Sequence, residues 1–332
     1  MRFSRSLAAL LSGVLVTAPL AAGAAEVVVY SARNEQLIKP LFDAYTQKTG
    51  VAVRFVTDKE GPLLARLQAE GPNTPADLLI TADAGNLWQA AEAGTLAEVD
   101  SPVLQANVPA HLRDPGNRWF GLSVRARAFV YNPARVQTAD LVSYEGLADP
   151  RWKGRLCLRT SKKVYNQSLV AMMIGRLGEP ETERVVHGWV ANLATEPFAS
   201  DNQVIEAVAA GQCDVGLVNT YYYGRLKQEK PELGAALGWP TQAGVHVNVS
   251  GAGLTRHAKH PKEAVALLEW LSSTEAQGLF AGLNLEYPVN PAVAPDPVVA
   301  AWGTFKPESA NVAEAGRLQK EAVKLMDRAG YR

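Results

Sequence analysis

The stretch Cys213-Asp214-Val215-Gly216-Leu217-Val218-Asn219-Thr220-Tyr221-Tyr222-Tyr223-Gly224-Arg225-Leu226 decides how the chain reads. Asp214 to Val218 is a short, mostly apolar run fit for a buried parallel strand, and Asn219-Thr220 stops it and can cap whatever follows. The tyrosines therefore sit at the carboxyl end of a strand, where open α/β sheets bind their ligands. Neighbouring residues point in different directions on any regular element, so three consecutive phenols cannot share one core. At least one hydroxyl faces a cleft or solvent. Two readings of the phenols stand side by side. One is a hard, highly charged cation, with ferric iron fitting best, since a phenol ionises near neutral pH only beside strong positive charge. The other is an aromatic cluster that packs a helix start or stacks on an organic ligand.

Outward from this stretch, strand and helix patterns alternate. Glu26 to Ser31 reads as a strand, Gln36 to Thr49 as a helix, Val51 to Val56 as a strand, Gly61 to Glu70 as a helix and Ala76 to Thr81 as a strand. A second set follows Arg155 to Leu158, with helices over Val164 to Leu177, Glu181 to Leu193 and Asp201 to Ala210. Gly121 to Asn132 is strand-like and long enough to cross between two lobes, and Val245 to Val249 is a strand that crosses back. Pro261 to Ser272, Thr274 to Gly282 and Ser309 to Ala329 are helical by pattern. The alternation predicts an α/β protein of two lobes, each a mostly parallel sheet flanked by helices, with strand-end loops facing a shared cleft. The expected division is residues 25–124 with 248–299 in an N-terminal lobe and 125–247 with 300–332 in a C-terminal lobe.

The chain opens on Met1-Arg2-Phe3-Ser4-Arg5, an apolar run from Leu7 to Leu20 and the small residues Ala22-Gly23-Ala24, which together read as a cleavable secretory signal over residues 1–24. No later run approaches the roughly 20 apolar residues that cross a bilayer. The expected address is a bacterial periplasm, and the expected state is a monomer that is not embedded in a membrane. Formal net charge is zero and no basic run occurs, which gives nucleic acid nothing to bind. Cys157 and Cys213, the only cysteines, can form one disulfide in an oxidising compartment.

Other constellations carry less chemistry. Arg125 and Arg127 lie two apart on a strand and share a face, so each needs a bound anion or a buried carboxylate such as Asp77 or Asp83. Arg159 to Ser168 links a strand to a helix and reads either as an ordinary connection with a surface tyrosine or as an anion site, offering the hydroxyls and amides of Thr160 and Ser161 and putting Tyr165 at the cleft edge. Glu35 is a hard-metal ligand or the acidic first-turn residue of a helix. The five histidines show no metal spacing, and H-E-x-x-H, G-x-S-x-G and a phosphate-binding glycine loop do not occur. No motif supports an enzyme.

Several segments together carry a family resemblance. They are Val29-Tyr30-Ser31-Ala32-Arg33, Thr74 to Leu87, Leu122 to Arg127, Tyr165-Asn166-Gln167-Ser168, Asn219 to Leu226 and Glu286-Tyr287-Pro288-Val289-Asn290. Over nearly its whole length after the leader, the chain resembles the periplasmic ferric-iron-binding proteins of bacterial ABC iron importers, in their tyrosine-rich branch, which fold like one transferrin lobe. The resemblance implies a type II periplasmic binding protein fold, Fe(III) held by Tyr221, Tyr222 and Tyr165, and delivery to an inner-membrane ABC permease. It also implies a synergistic anion, with carbonate the natural candidate, near Arg125 and the helix start after Arg159. The chain departs from the pattern at Asn34-Glu35, where many relatives carry histidine, and at Ala82, where some carry glutamate. The expected site is therefore dominated by one lobe, with Asn34 and Glu35 the remaining N-lobe candidates. The competing solute is organic or an oxyanion, such as thiamine, a polyamine or a phosphorylated compound, with the tyrosines as a stacking platform.

Overall fold

The computed structural model describes residues 25–332. The leader expected over residues 1–24 lies outside them. In chain order the elements are β1 (Glu26–Ser31), α1 (Glu35–Thr49), β2 (Ala52–Thr57), α2 (Glu60–Glu70), β3 (Leu78–Thr81), α3 (Ala84–Glu92), α4 (Pro102–Asn107) and β4 (Phe120–Tyr131). They continue as β5 (Leu156–Cys157), α5 (Val164–Leu177), α6 (Glu179–Ala191), α7 (Asp201–Ala209), β6 (Val215–Asn219), α8 (Thr220–Glu229), β7 (Ala236–Gly238) and β8 (Val247–Leu254). The last are α9 (Pro261–Ser272), α10 (Thr274–Asn284), β9 (Tyr287–Pro288), α11 (Pro297–Ala300), α12 (Glu314–Arg317) and α13 (Gln319–Arg328).

Local sequence accounts for the regular elements. Ile38, Leu41, Phe42 and Tyr45 recur at helical spacing and form the buried stripe of α1. Gly50 ends that helix with φ of 76°, a left-handed conformation open to glycine, and its N–H caps the Thr46 carbonyl. Ser200 caps α7 in a reciprocal pair with Gln203. Within the segment Ser309 to Ala329, expected as one or two helices, the chain forms two, α12 and α13, which pack on α5.

The sheet runs β2-β1-β3-β8-β4-β6-β5, with β7 and β9 also paired to β4. Its composition differs from a mostly parallel sheet in each lobe. Parallel pairing is confined to β1 with β2 and β3 and to β5 with β6, whereas β8 is antiparallel to both β3 and β4, and β4 is antiparallel to β6. Helical crossovers produce the parallel pairs. The long strands β4 and β8 arrive from the opposite direction, and alternation along the sequence does not encode that.

Strand β4 is the element that ties the two halves together. From Phe120 to Ala126 it pairs with β8, and from Arg127 to Tyr131 it pairs with β6. Its side chains accordingly enter three cores. Val124 and Ala126 join Val29, Ile38, Phe42, Leu79 and Leu267 on one side of the handover. Phe129 joins Trp152, Leu169, Val185, Trp189 and Leu325, and Val130 joins Val204, Val208 and Val218. Cys157 and Cys213 form a buried disulfide beside that third core, joining β5 to the entry of β6. Among the described residues no helix is long and apolar enough to cross a membrane.

Candidate metal centre

Strand β6 delivers the tyrosines. Every residue from Val215 to Asn219 is buried, and the chain turns directly into α8 at Thr220. In the first turn of a helix successive side chains splay by about 100°. Tyr223 therefore leaves the cleft: its hydroxyl donates to the Ala235 carbonyl at 3.3 Å and its ring meets Trp302 edge-on. Tyr221 and Tyr222 stay together with ring centroids 4.4 Å apart, and Asn219 Nδ2 donates to the Tyr221 hydroxyl at 3.3 Å. Tyr165, in the first turn of α5, lines the same cavity as Tyr221 and Tyr222, a cleft of about 620 Å³. Three phenols from two helix starts thus share one wall.

Cations surround this wall. The Arg125 guanidinium lies 5.1 Å from the Tyr165 ring centroid, Lys163 Nζ 4.7 Å and the Arg159 guanidinium 5.7 Å. Arg159 is also 6.0 Å from the Tyr222 ring, and Arg225, one helical turn after Tyr221, is 5.1 Å from the Tyr221 ring. Burial raises the ionisation of Tyr165 and Tyr221 above the ordinary phenol range. Tyr222 adds to the rise in both and Tyr165 adds to it in Tyr221, while Arg125 opposes it in both and a hydrogen bond with Tyr221 opposes it in Tyr165. In the metal-free protein these two groups are neutral. A ligand that takes them as anions must displace their protons, which needs a strong, hard Lewis acid.

Arg125 leads from the phenols to a second set of charged groups. Burial disfavours a charged Arg125, but the neighbouring carboxylates Asp83 and Glu286 favour the charge, and the guanidinium stays protonated. Arg125 donates to Ser250 Oγ at 3.3 Å and to the Ala82 carbonyl, and lies 3.8 Å from Asp83 Oδ2. Arg33 pairs with buried Glu286 at 3.2 Å, and Ser123 Oγ donates to the same carboxylate. Burial would raise the Glu286 carboxyl, yet Arg33 and Arg125 hold it below the usual range. Asn34 and Glu35 are exposed at the start of α1 and line the cavity mouth.

Not every residue singled out in the sequence reaches this cavity. Arg127 shares a strand face with Arg125, but it lies past the point where β4 leaves β8. It is buried against Asp201 at 2.7 Å and is absent from the cleft lining. Its partner is neither Asp77 nor Asp83. Asp77 accepts from the Val28, Lys259 and His260 amides instead. The amides of Thr160 and Ser161 are spent on the Phe198 and Arg332 carbonyls, so this loop offers no free N–H at those two positions. Conversely, sequence reasoning passed over Lys163, Arg159, Arg225, Asp201 and the Arg33–Glu286 pair. Arg225 had a usable signal, since it lies four residues after Tyr221 on a helix. Among the described residues no group of three His, Cys, Asp or Glu could hold a metal ion. The carboxylates of Glu35, Asp58, Glu60 and Glu286 also line the cleft, but the oxygen donors that cluster there are the phenols.

Residues 40–307 match the family described as bacterial extracellular solute-binding proteins. The chain is 42% identical to Iron uptake protein A2 of Synechocystis over 91% of its length and 89% of that protein. It is 40% identical to Iron uptake protein A1 of the same organism, over 92% and 88%. Among solved structures, Trichodesmium IdiA (FutA) in complex with iron and citrate ligands superposes with a TM-score of 0.89 at 42% identity, covering 92% of this chain and 100% of that one. The chain belongs to the bacterial extracellular solute-binding proteins, in the group that includes the iron uptake and ferric-iron-binding proteins.

Proposed function

We propose that this protein binds Fe(III) in the cleft through tyrosinates and delivers it to an inner-membrane ABC permease. The observation that carries the reading is the convergence of Tyr165, Tyr221 and Tyr222 on one cavity wall ringed by cations. Three tyrosinates neutralise a trivalent ion, which matters in a partly closed cleft where uncompensated charge is costly. Iron arrives as cargo, displaces the phenol protons and draws the two lobes together, and opening releases it. The proposed lobe division, 25–124 with 248–299 against 125–247 with 300–332, has its first boundary two residues before the point where β4 changes partner, between Ala126 and Arg127. The protein works as a monomer in the periplasm after loss of its leader.

The tyrosine-bearing lobe dominates the grip. Asn34 and Glu35 stand exposed at the cleft mouth and leave coordination positions for an anion or water. Carbonate is the proposed anion and Arg125 its anchor, since this guanidinium lines the same cavity as the phenols and lies 5.1 Å from the Tyr165 ring centroid.

The test is an absorption titration of the stripped mature protein with ferric nitrilotriacetate, for the wild type and Tyr221→Phe. The expected result is a visible tyrosinate-to-iron band that saturates at one iron per chain and is lost or shifted in the variant. A flat spectrum in the wild type refutes the iron reading and favours an organic or oxyanion solute.

A further inference from the structure

Asp201 sits beneath the tyrosine wall without touching it. It is fully buried in the first turn of α7, but that helix is already capped by Ser200, so its carboxylate is free for another task. Oδ2 accepts from the backbone amide of Asn219 at 2.9 Å and from Arg127 Nη1 at 2.7 Å. Asn219 is the last residue of β6 and the cap position of α8, so this bond fixes the origin of the helix whose first turn carries Tyr221 and Tyr222. Arg127 continues the path to the other arm. Its Nη2 donates to Asn166 Oδ1 at 2.7 Å, and Asn166 Nδ2 donates to the carbonyls of Arg159 and Thr160 at 2.9 and 3.0 Å. Asn166 adjoins Tyr165. Oδ1 of Asp201 lies 3.5 Å from Arg159 Nη1, and Arg159 spans the rings of Tyr165 and Tyr222.

One carboxylate therefore reaches both tyrosine-bearing segments, whose sequence positions are more than fifty residues apart. Resting on the Fe(III) reading above, we infer that Asp201 is a positioning residue that holds the Tyr165 arm and the Tyr221–Tyr222 arm at fixed spacing before metal arrives. Preorganisation of this kind lowers the ordering cost of coordination, and its loss shows first as faster release. A carboxylate that only stabilised the fold would alter melting without altering the geometry around bound iron.

The test compares wild type, Asp201→Asn and Asp201→Glu, with Asp214→Asn as control. Asp214 is another acidic residue on the same lobe, paired with Arg155 at 2.6 Å at the opposite end of β6. In the iron-free proteins, amide hydrogen exchange is followed over residues 163–168 and 219–224. In the loaded proteins, the charge-transfer band and the rate of iron loss to a chelator are measured. The expected result is faster exchange in both segments for the Asp201 variants, a displaced band and iron loss faster by about ten- to hundredfold, the size set by a charge-assisted hydrogen bond. The control shows none of these changes. Should Asp201→Asn fail to fold, Asp201→Glu keeps the charge beside Arg127, displaces the carboxylate by one methylene and carries the same expectation. Release and band within twofold of wild type in a folded Asp201 variant, or faster exchange in one arm only, overturns the inference. Absence of any band in the wild type refutes the iron reading instead, and the exchange measurement on iron-free protein still decides whether Asp201 couples the arms.

Discussion

Iron binding through phenols must release protons, and the structure sets how many. Tyr165 and Tyr221 are held neutral by burial, reinforced by Tyr222 beside both and by Tyr165 beside Tyr221, well above the ordinary phenol value of about 10. Ionising either at pH 7 without metal costs at least about 4 kcal/mol, from three or more units at 1.36 kcal/mol each. Iron must repay that cost for every phenol it takes, so affinity rises with pH, by tenfold per unit for each proton displaced. Three tyrosinates give a slope near three in log K against pH. Tyr221→Phe removes one displaceable proton and lowers the slope by one, because phenylalanine keeps the ring packing against Tyr222 and Leu285 but offers no oxygen. The assay is competition with a chelator of known protonation between about pH 6 and 8, with the chelator's own proton uptake subtracted. The difference between wild type and variant is insensitive to protons contributed by any anion. Equal slopes in the two proteins refute the assignment of Tyr221 as a tyrosinate ligand.

Three further outcomes follow from named contacts. Glu35→Gln and Asn34→Ala leave iron affinity within about threefold of wild type in the same competition assay, since an exposed position with no fixed partner adds little, and a loss beyond a hundredfold would assign the N-lobe a direct ligand. Reduction of the Cys157–Cys213 bridge, or a double serine variant, lowers unfolding free energy by about 4 kcal/mol for a loop of 56 residues in urea titrations, and no change would mean the reduced chain retains the same loop. Glu286→Gln strands Arg33 and costs about 3–5 kcal/mol at neutral pH. Glu286 titrates below its unfolded value, so its contribution is present above about pH 4.3 and fades as the pH falls through the folded-state value. The gap between wild type and Glu286→Gln therefore narrows in acid, and a gap that widens instead would refute the pairing.

Much of the fold was legible because local signals agreed with it. The apolar run ending at Asn219 placed the tyrosines at a strand's carboxyl end, and their position in the first turn of α8 is where the structure has them. The stripe Ile38, Leu41, Phe42, Tyr45 and the glycine after it marked α1 nearly to its ends. What was not legible was non-local. Two arginines on one strand face look equivalent in sequence, yet Arg125 faces the cleft and Arg127 lies buried, because β4 changes partner between them. The loop after Arg159 offered amides for an anion, and only the fold reveals that Phe198 and the chain end at Arg332 consume them. Asp201 appears in the sequence only as the first residue of a helical pattern, and nothing in its neighbours announces a partner at Arg127. Antiparallel pairing in the middle of the sheet escaped for the same reason: direction depends on where a long connection returns.

The change of partner along β4 has a mechanical consequence. Between Ala126 and Arg127 the strand leaves one neighbour and takes another while its own backbone runs on unbroken. Such a junction behaves as a leaf spring. A rotation of one half against the other would be spread over several dihedrals of this one continuous strand and would leave the ladders on either side paired. The restoring force then comes from many small torsions and stays soft, and the energy that decides between shut and ajar is left to the few groups that meet across the gap.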